Sequence, residues 1–213
     1  MIYGALNEPV LARVPKTAKR LLDIGCGSGA LGRKIKEELD CHVVGVTFSE
    51  AEAAIAGHHL DEVLVCDLNS FELPPIDQFD CIICSHVLEH LYEPNEVLRR
   101  LRRSLSPGGT LIVALPNVMY WRQRLEFLRD NFKYTEGGLM DRTHYRFFDW
   151  ATAQELLKGS GYAVVDARAD GRFPLSRFLS RAGEGLDRAA LKTFPGLFGF
   201  QFVFVCRPNG DYS

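Results

Sequence analysis

"LLDIGCGSGALGRK", residues 21–34, decides how the rest of the chain is understood. Leu21, Leu22 and Ile24 surround Asp23, and Gly25, Gly27 and Gly29 follow before Leu31, Ile35 and Leu39 take up helical spacing. An apolar run that ends on glycines and passes into a 3.6-residue period marks a strand, a tight turn and a helix. Three ligand-binding templates share that outline. In a phosphate-binding P-loop, Gly27 and Gly32 would have the right separation, but Arg33-Lys34-Ile35 replaces Lys-Ser/Thr, so the phosphate lysine and the magnesium hydroxyl are both misplaced. In a dinucleotide fingerprint, residues 27–32 fit G-x-G-x-x-G, but they lie late after the strand. The ribose acid expected about twenty residues on is missing, with Thr47 in its place. In the third template Asp23 closes the strand, the glycines lay bare backbone against a ligand, and the helix start points N–H groups at its carboxylate. The third fits best.

Outward from this turn, apolar stretches recur at 41–46, 62–66, 79–85, 110–115, 162–167 and 200–206. They are nearly continuous and rich in aliphatic or β-branched residues, as in strands covered on both faces. Helical patterns lie between them: Val97, Leu98, Leu101 and Leu105 share a stripe, and a further helix is expected to start at Asp149 and stop at Gly159 or Gly161. Alternating strands and helices predict an α/β fold with a largely parallel sheet and right-handed crossovers. Two long segments interrupt the rhythm, at about 116–149 and about 168–199. Long connections at strand carboxyl ends are where such folds receive substrate.

The 213 residues suit one domain over 1–213. Apolar content is 46%, enough for a core, and 25 basic against 27 acidic residues give a net charge of −2. That balance supplies no field for nucleic acid. The first residues lack the basic start and apolar run of a signal peptide, and no stretch is long enough to span a bilayer, so a cytoplasmic location is expected. Six cysteines are scattered through apolar runs. Cys81 and Cys84 have C-x-x-C spacing, but positions i and i+3 on a strand face opposite ways, so they are expected as buried small hydrophobes. Arg99, Arg100, Arg102 and Arg103 fall off the apolar stripe and are expected as a solvated face.

With its strand, acid and G-x-G-x-G, the 21–34 stretch resembles the class I S-adenosylmethionine-dependent methyltransferases. "CDLNSF" (66–71), "FDCIICSHVLEHL" (79–91) and "SLSPGGTLIVALPN" (104–117) are similar to that family's later motifs, in order and correctly spaced. The resemblance implies a Rossmann-like sheet of seven strands with the last antiparallel, and S-adenosyl-L-methionine as cofactor, leaving as S-adenosyl-L-homocysteine. It implies donor contacts from Asp23, Gly25, Cys26, Gly27, Gly29, Thr47, Phe48, Asp67, Leu68, Ser85 and His86. Thr47, with one hydroxyl, is expected to face the ribose, so that Thr47→Asp should preserve or improve donor binding. Glu50 and Glu52 lie just beyond it as further carboxylates.

"LPNVMYWRQRLEFLRDNFKYTEGGLMDRTHYRFFDW" (115–150) is similar to a narrower set, including MetW-like proteins and methyltransferases of glycan or natural-product pathways. By that likeness 116–149 roofs the donor as a lid. Ubiquinone-pathway O-methyltransferases carry a Thr-His in a comparable insertion. A hydroxyl acceptor must lose a proton, and neutral imidazole suits that role near neutral pH. His144 is therefore the expected base, with Asp141 to orient it and Glu89 and His90 beside it. Asn117, Tyr120, Trp121, Tyr134, Arg142 and Tyr145 are expected to receive the acceptor. His86 to His90 also match a metallopeptidase H-x-x-E-H, but that pattern belongs on a long helix. Some RNA methyltransferases hold a metal at this place through E-x-x-E-H. Here His86 occupies the first acidic position, which weakens that analogy; a metal site of Glu89, His90 and His144 is the minor alternative, and no metal is assigned. The connection 168–199 carries Phe173, Leu175, Phe178, Leu179, Leu186 and Leu191 beside Arg172, Arg177, Arg181 and Arg188. It is expected to cover the sheet edge, and a basic flap there would suit a phosphorylated or nucleotide-linked acceptor.

The expected function is methylation of oxygen on a small metabolite or glycan precursor. N-methylation is the nearest variant. The rivals are a non-catalytic cofactor-binding partner of a biosynthetic enzyme and a nicotinamide oxidoreductase. Homo-oligomers or a partner enzyme are compatible with every one of these.

Overall fold

All seven apolar runs join one sheet in the computed structural model, which describes residues 6–70, 78–174 and 180–210. The strands are β1 (Arg20–Ile24), β2 (His42–Thr47), β3 (Glu62–Val65), β4 (Phe79–Ser85), β5 (Leu105–Pro116), β6 (Tyr162–Gly171) and β7 (Gly199–Pro208). Their order is β3-β2-β1-β4-β5-β7-β6, and β7 runs antiparallel to both neighbours. The chain moves outward from β1 to β3 and then crosses back to β4. The strand order therefore reverses between β1 and β4, and a crevice opens beyond their carboxyl ends.

The side-chain alternation of these strands divides the core in two. Leu22, Ile24, Ile82, Cys84 and Val113 face one layer, while Leu21, Cys81, Ile83 and Ile112 face the other. The helices are α1 (Glu8–Leu11), α2 (Ala30–Glu38), α3 (Glu50–Ala56), α4 (Pro94–Arg103), α5 (Trp121–Leu128), α6 (Trp150–Gly159), α7 (Ser180–Thr193) and α8 (Pro195–Phe198). Leu31 and Ile35 of α2 pack on one layer. Val97, Leu98 and Leu101 of α4 and Leu156 and Leu157 of α6 pack on the other. Cys81 and Cys84 thus point to opposite faces, and burial pushes both thiols above their ordinary range.

Asp149 caps α6 as expected. Its carboxylate accepts from the Ala151 and Thr152 amides, and the Thr152 hydroxyl accepts from the Asp149 amide in return. Such a cap is worth about 1 kcal/mol. The expected helical stripe overreached at Leu105, which opens β5 opposite Phe79. The Pro107-Gly108-Gly109 turn lies inside that strand, with Gly108 at φ 77°. At the second interruption β6 continues to Gly171 and α7 follows, so the irregular segment is shorter than 168–199. Phe71, Leu175, Arg177, Phe178 and Leu179 lie outside the described residues, as does the side chain of Arg181.

Candidate active site

The turn after β1 is held by backbone bonds. The Gly25 and Cys26 amides both donate to the Val46 carbonyl at the end of β2, at 2.8 and 2.9 Å. Gly25, Gly27 and Gly29 have φ of 73°, 52° and 80°, a region that side chains disfavour. At Gly25 the requirement is also spatial, because a Cβ would stand 3.0 Å from the Val87 side chain. Cys26 is buried, and burial raises its thiol. The result is a concave stretch of main chain leading into α2.

Asp23 stands at the base of this turn, 2% exposed, and its Oδ2 has no hydrogen-bond partner among the described residues. Burial pushes its carboxyl up to about 7. A buried, unpartnered carboxyl beside bare backbone fits a ligand that brings a cationic donor. An amino-acid ammonium is such a group.

The end of β2 departs from expectation. The Thr47 hydroxyl donates to Glu52 Oε2 at 2.9 Å, and Glu52 is itself buried in the first turn of α3. Ser49 caps α3 by accepting from the Glu52 amide, which points that residue back toward the strand end. A carboxylate from five residues further on thus stands at this strand end. Thr47→Asp would put a second carboxylate beside Glu52, and repulsion between the two speaks against the expectation that it preserves binding.

Phe48 beside it is 76% exposed. Asp67 follows β3 on the same rim, where its Oδ1 accepts from the Asn69 amide at 2.9 Å, and Leu68 is buried beneath it.

Ser85 and His86 end β4. His86 adopts φ 54°, and its ring is held at both nitrogens, by Glu89 Oε1 at 3.2 Å and Gln201 Oε1 at 2.8 Å. Burial pushes its pKa down, but hydrogen bonds to these two acceptors outweigh that and favour the protonated ring. Gln201 Nε2 donates to Asp170 and Asn7, which fixes the amide with its oxygen toward His86. Asn7 Nδ2 donates to the Ser85 hydroxyl at 3.1 Å.

The lid is pinned across this strand end. The Tyr145 and Arg146 amides donate to the Glu89 carbonyl, and the Arg146 guanidinium bonds the Tyr92 carbonyl. His144 is 9% exposed, and its ring lies 4.7 Å from that of His90. Burial holds His144 below the ordinary imidazole range, so it is neutral at neutral pH.

Asp141 does not bond the His144 ring. Its Oδ1 accepts from the Thr143 amide and hydroxyl, and these bonds outweigh burial and hold its carboxyl below the usual range. It shapes the turn that carries His144.

The expected acceptor residues divide. Tyr120 and Trp121 line a cavity of about 960 Å³ between α5 and the carboxyl end of β6. Asn117 is fully buried, and its side chain bonds the Gly196 and Gly199 carbonyls and the Met119 amide, leaving nothing for an acceptor. Tyr134, Arg142 and Tyr145 lie outside the cavity lining; Arg142 pairs with Glu136, and Tyr145 packs on Tyr92. The cavity instead recruits Lys133, Leu139, Arg172 and Phe200. Arg172 had a signal in the basic flap, whereas Leu139 and Phe200 had none.

Residues 4–167 match the family described as methyltransferase domain. The chain belongs to this methyltransferase-domain family. Its fold is that of solved S-adenosylmethionine-dependent enzymes. One from Archaeoglobus fulgidus superposes with a TM-score of 0.65 over 93% of each chain at 21% identity. The 1,6-didemethyltoxoflavin-N1-methyltransferase of Burkholderia thailandensis, solved with S-adenosylhomocysteine, gives 0.60 at 17% identity over 95% of this chain and 76% of that one. Among curated proteins, the ubiquinone biosynthesis O-methyltransferase of Pseudomonas aeruginosa (strain UCBPP-PA14) is 32% identical over 113 residues, covering 49% of this chain and 47% of the relative. The chain thus spans about half the length of the curated relatives it matches. By family the chain is a methyltransferase domain, and its fold is the one shared by these S-adenosylmethionine-dependent enzymes.

Proposed function

We propose that this methyltransferase works as one unit and methylates a hydroxyl of a small molecule that carries a negative charge. The observation that carries the acceptor class is the cavity beside the lid. Tyr120, Trp121, Phe173 and Phe200 give it aromatic walls, and Arg122, Arg129, Lys133 and Arg172 lie around it. Glu126 is the one acidic lining residue among the described residues, and Arg129 and Asn131 already engage its carboxylate. The Trp121 Nε1 donor is buried without a partner among the described residues, and an acceptor oxygen would satisfy it. The oxygen preference is supported by the curated relatives, which are named as O-methyltransferases.

S-adenosylmethionine supplies an electrophilic methyl on a sulfonium. The glycine turn, Asp23 and the Thr47–Glu52 pair hold that donor, with Asp67 and Phe48 at the adenine end. In-line displacement needs alignment more than bond chemistry, and alignment is worth up to roughly 7–11 kcal/mol. Leu139 and Met140, which line the cavity, lead directly into the turn that carries His144, so an acceptor seated there reaches the neighbourhood of Glu89, His90 and His144. The proton of the acceptor hydroxyl is lost in that neighbourhood, with His144 as the base.

Incubation with isotopically labelled donor and a panel of phenols, catechols and sugar phosphates tests this reading. Label should pass to hydroxyls of anionic members, with KM raised about two- to fivefold by Lys133→Ala or Arg172→Ala, the range of an exposed charge pair. Label passing only to amines, or equally to neutral members, contradicts it.

A further inference from the structure

Glu89, His90 and His144 bring one carboxylate oxygen and two imidazole nitrogens within 4.8 Å of one another. Glu89 is fully buried. Its Oε1 accepts from His86, but Oε2 has no hydrogen-bond partner among the described residues. His144 Nδ1 is equally buried and unpartnered. His90 is oriented from outside the cluster, with Nδ1 3.1 Å from the Thr143 carbonyl.

A carboxylate oxygen and an imidazole nitrogen are thus buried in this cluster, each without a hydrogen-bond partner among the described residues. Leaving a buried acceptor unsatisfied costs about 1–3 kcal/mol, more for a charged one. A bound cation satisfies both groups. Imidazoles whose outer nitrogen is held by a backbone carbonyl are oriented as metal ligands are.

We propose that Glu89, His90 and His144 bind one divalent transition-metal ion at the lid, facing the acceptor. Two nitrogens and one oxygen suit a borderline ion such as zinc, whereas calcium and magnesium require oxygen ligands. Bonds of about 2.1 Å at tetrahedral angles place ligand atoms roughly 3.4 Å apart, a closure that side-chain torsions can supply. Three protein ligands leave a coordination position, and an ion there polarises an acceptor hydroxyl. The ion then promotes the proton loss that the acceptor reading assigns to His144, with His144 among its ligands. That catalytic role rests on the acceptor site proposed above; the binding does not.

The test uses the full chain, stripped with chelator and titrated with zinc chloride by calorimetry, then with cobalt(II) while its visible spectrum is recorded. The expected result is one ion per chain, with cobalt bands of a nitrogen–oxygen site. Affinity should fall in Glu89→Gln and in His144→Ala by more than the roughly 10–100-fold that loss of an outer-shell partner causes. S-adenosylhomocysteine binding, measured in all three proteins, should be unchanged, which shows that the variants are folded. No ion bound by the wild type, equal affinity in Glu89→Gln, or thiolate-to-cobalt charge transfer would each overturn the proposal. Loss of S-adenosylhomocysteine binding in the wild type itself counts instead against the donor reading.

Discussion

The two halves of the site are built by different means. The proposed donor half rests largely on main chain, with three left-handed glycines and two amides on the Val46 carbonyl beside the buried acids Asp23 and Glu52, all close in sequence to β1 and β2. The lid half is side chain, and its parts are distant in sequence, with Glu89 and His90 meeting His144 across some 55 residues. A site made of backbone is set once the strand and turn form. A site made of long-range side chains depends on how the lid docks. The donor half should therefore tolerate damage to the lid, and the lid should carry the chemistry.

The harshest way to break this division is at Gly27. A β-branched residue at φ 52° costs about 1–3 kcal/mol in strain and fills the concave main chain, so Gly27→Val should abolish S-adenosylhomocysteine binding in calorimetry. Retained binding would mean that the turn does not contact the ligand. On the lid side, His144→Ala should lower turnover by about a hundredfold to ten-thousandfold while the donor Kd stays within about twofold. Rate and affinity falling together would erase the distinction between the halves.

Asp23 sharpens the comparison through pH. Because its carboxyl is raised to about 7, it takes up a proton below that pH and loses its attraction for a cationic ligand. Donor affinity should then weaken by up to about tenfold per pH unit below about 7, and the Asp23→Asn variant should bind weakly without that slope. The sign for stability is opposite. A carboxyl whose folded value exceeds its unfolded value of 3.8 favours folding when protonated, so the stability it contributes is full below about 3.8 and is lost as pH rises to about 7. The ligand-free Asn variant should melt at or above the wild-type temperature. The smallest effect is expected at Thr47. Thr47→Ala removes one neutral bond to Glu52 and should weaken donor binding by about 0.5–1.5 kcal/mol. Thr47→Asp should weaken it further, through repulsion of Glu52.

The same division explains what the sequence disclosed. Strand alternation, the Asp149 cap and the glycine turn depend on neighbours within a few residues, and each appears as expected in the structure. Glu52 was harder to place, because a helix can aim its first turn inward or outward. The Ser49 cap decides the direction here. Asn117 and Arg142 were expected at the acceptor because their residue types suit binding. Their partners, Gly196, Gly199 and Glu136, are set by folding that no local pattern encodes. Leu139 and Phe200 reach the cavity for the same reason and carried no motif.

Calorimetric titration of the wild-type chain, with S-adenosylhomocysteine and with NAD in separate runs, tests the central claim most directly. The account predicts one S-adenosylhomocysteine per chain and no measurable heat from NAD, because Glu52, Asp23 and the glycine turn are arranged for an amino-acid nucleoside. Tighter binding of NAD than of S-adenosylhomocysteine would contradict it.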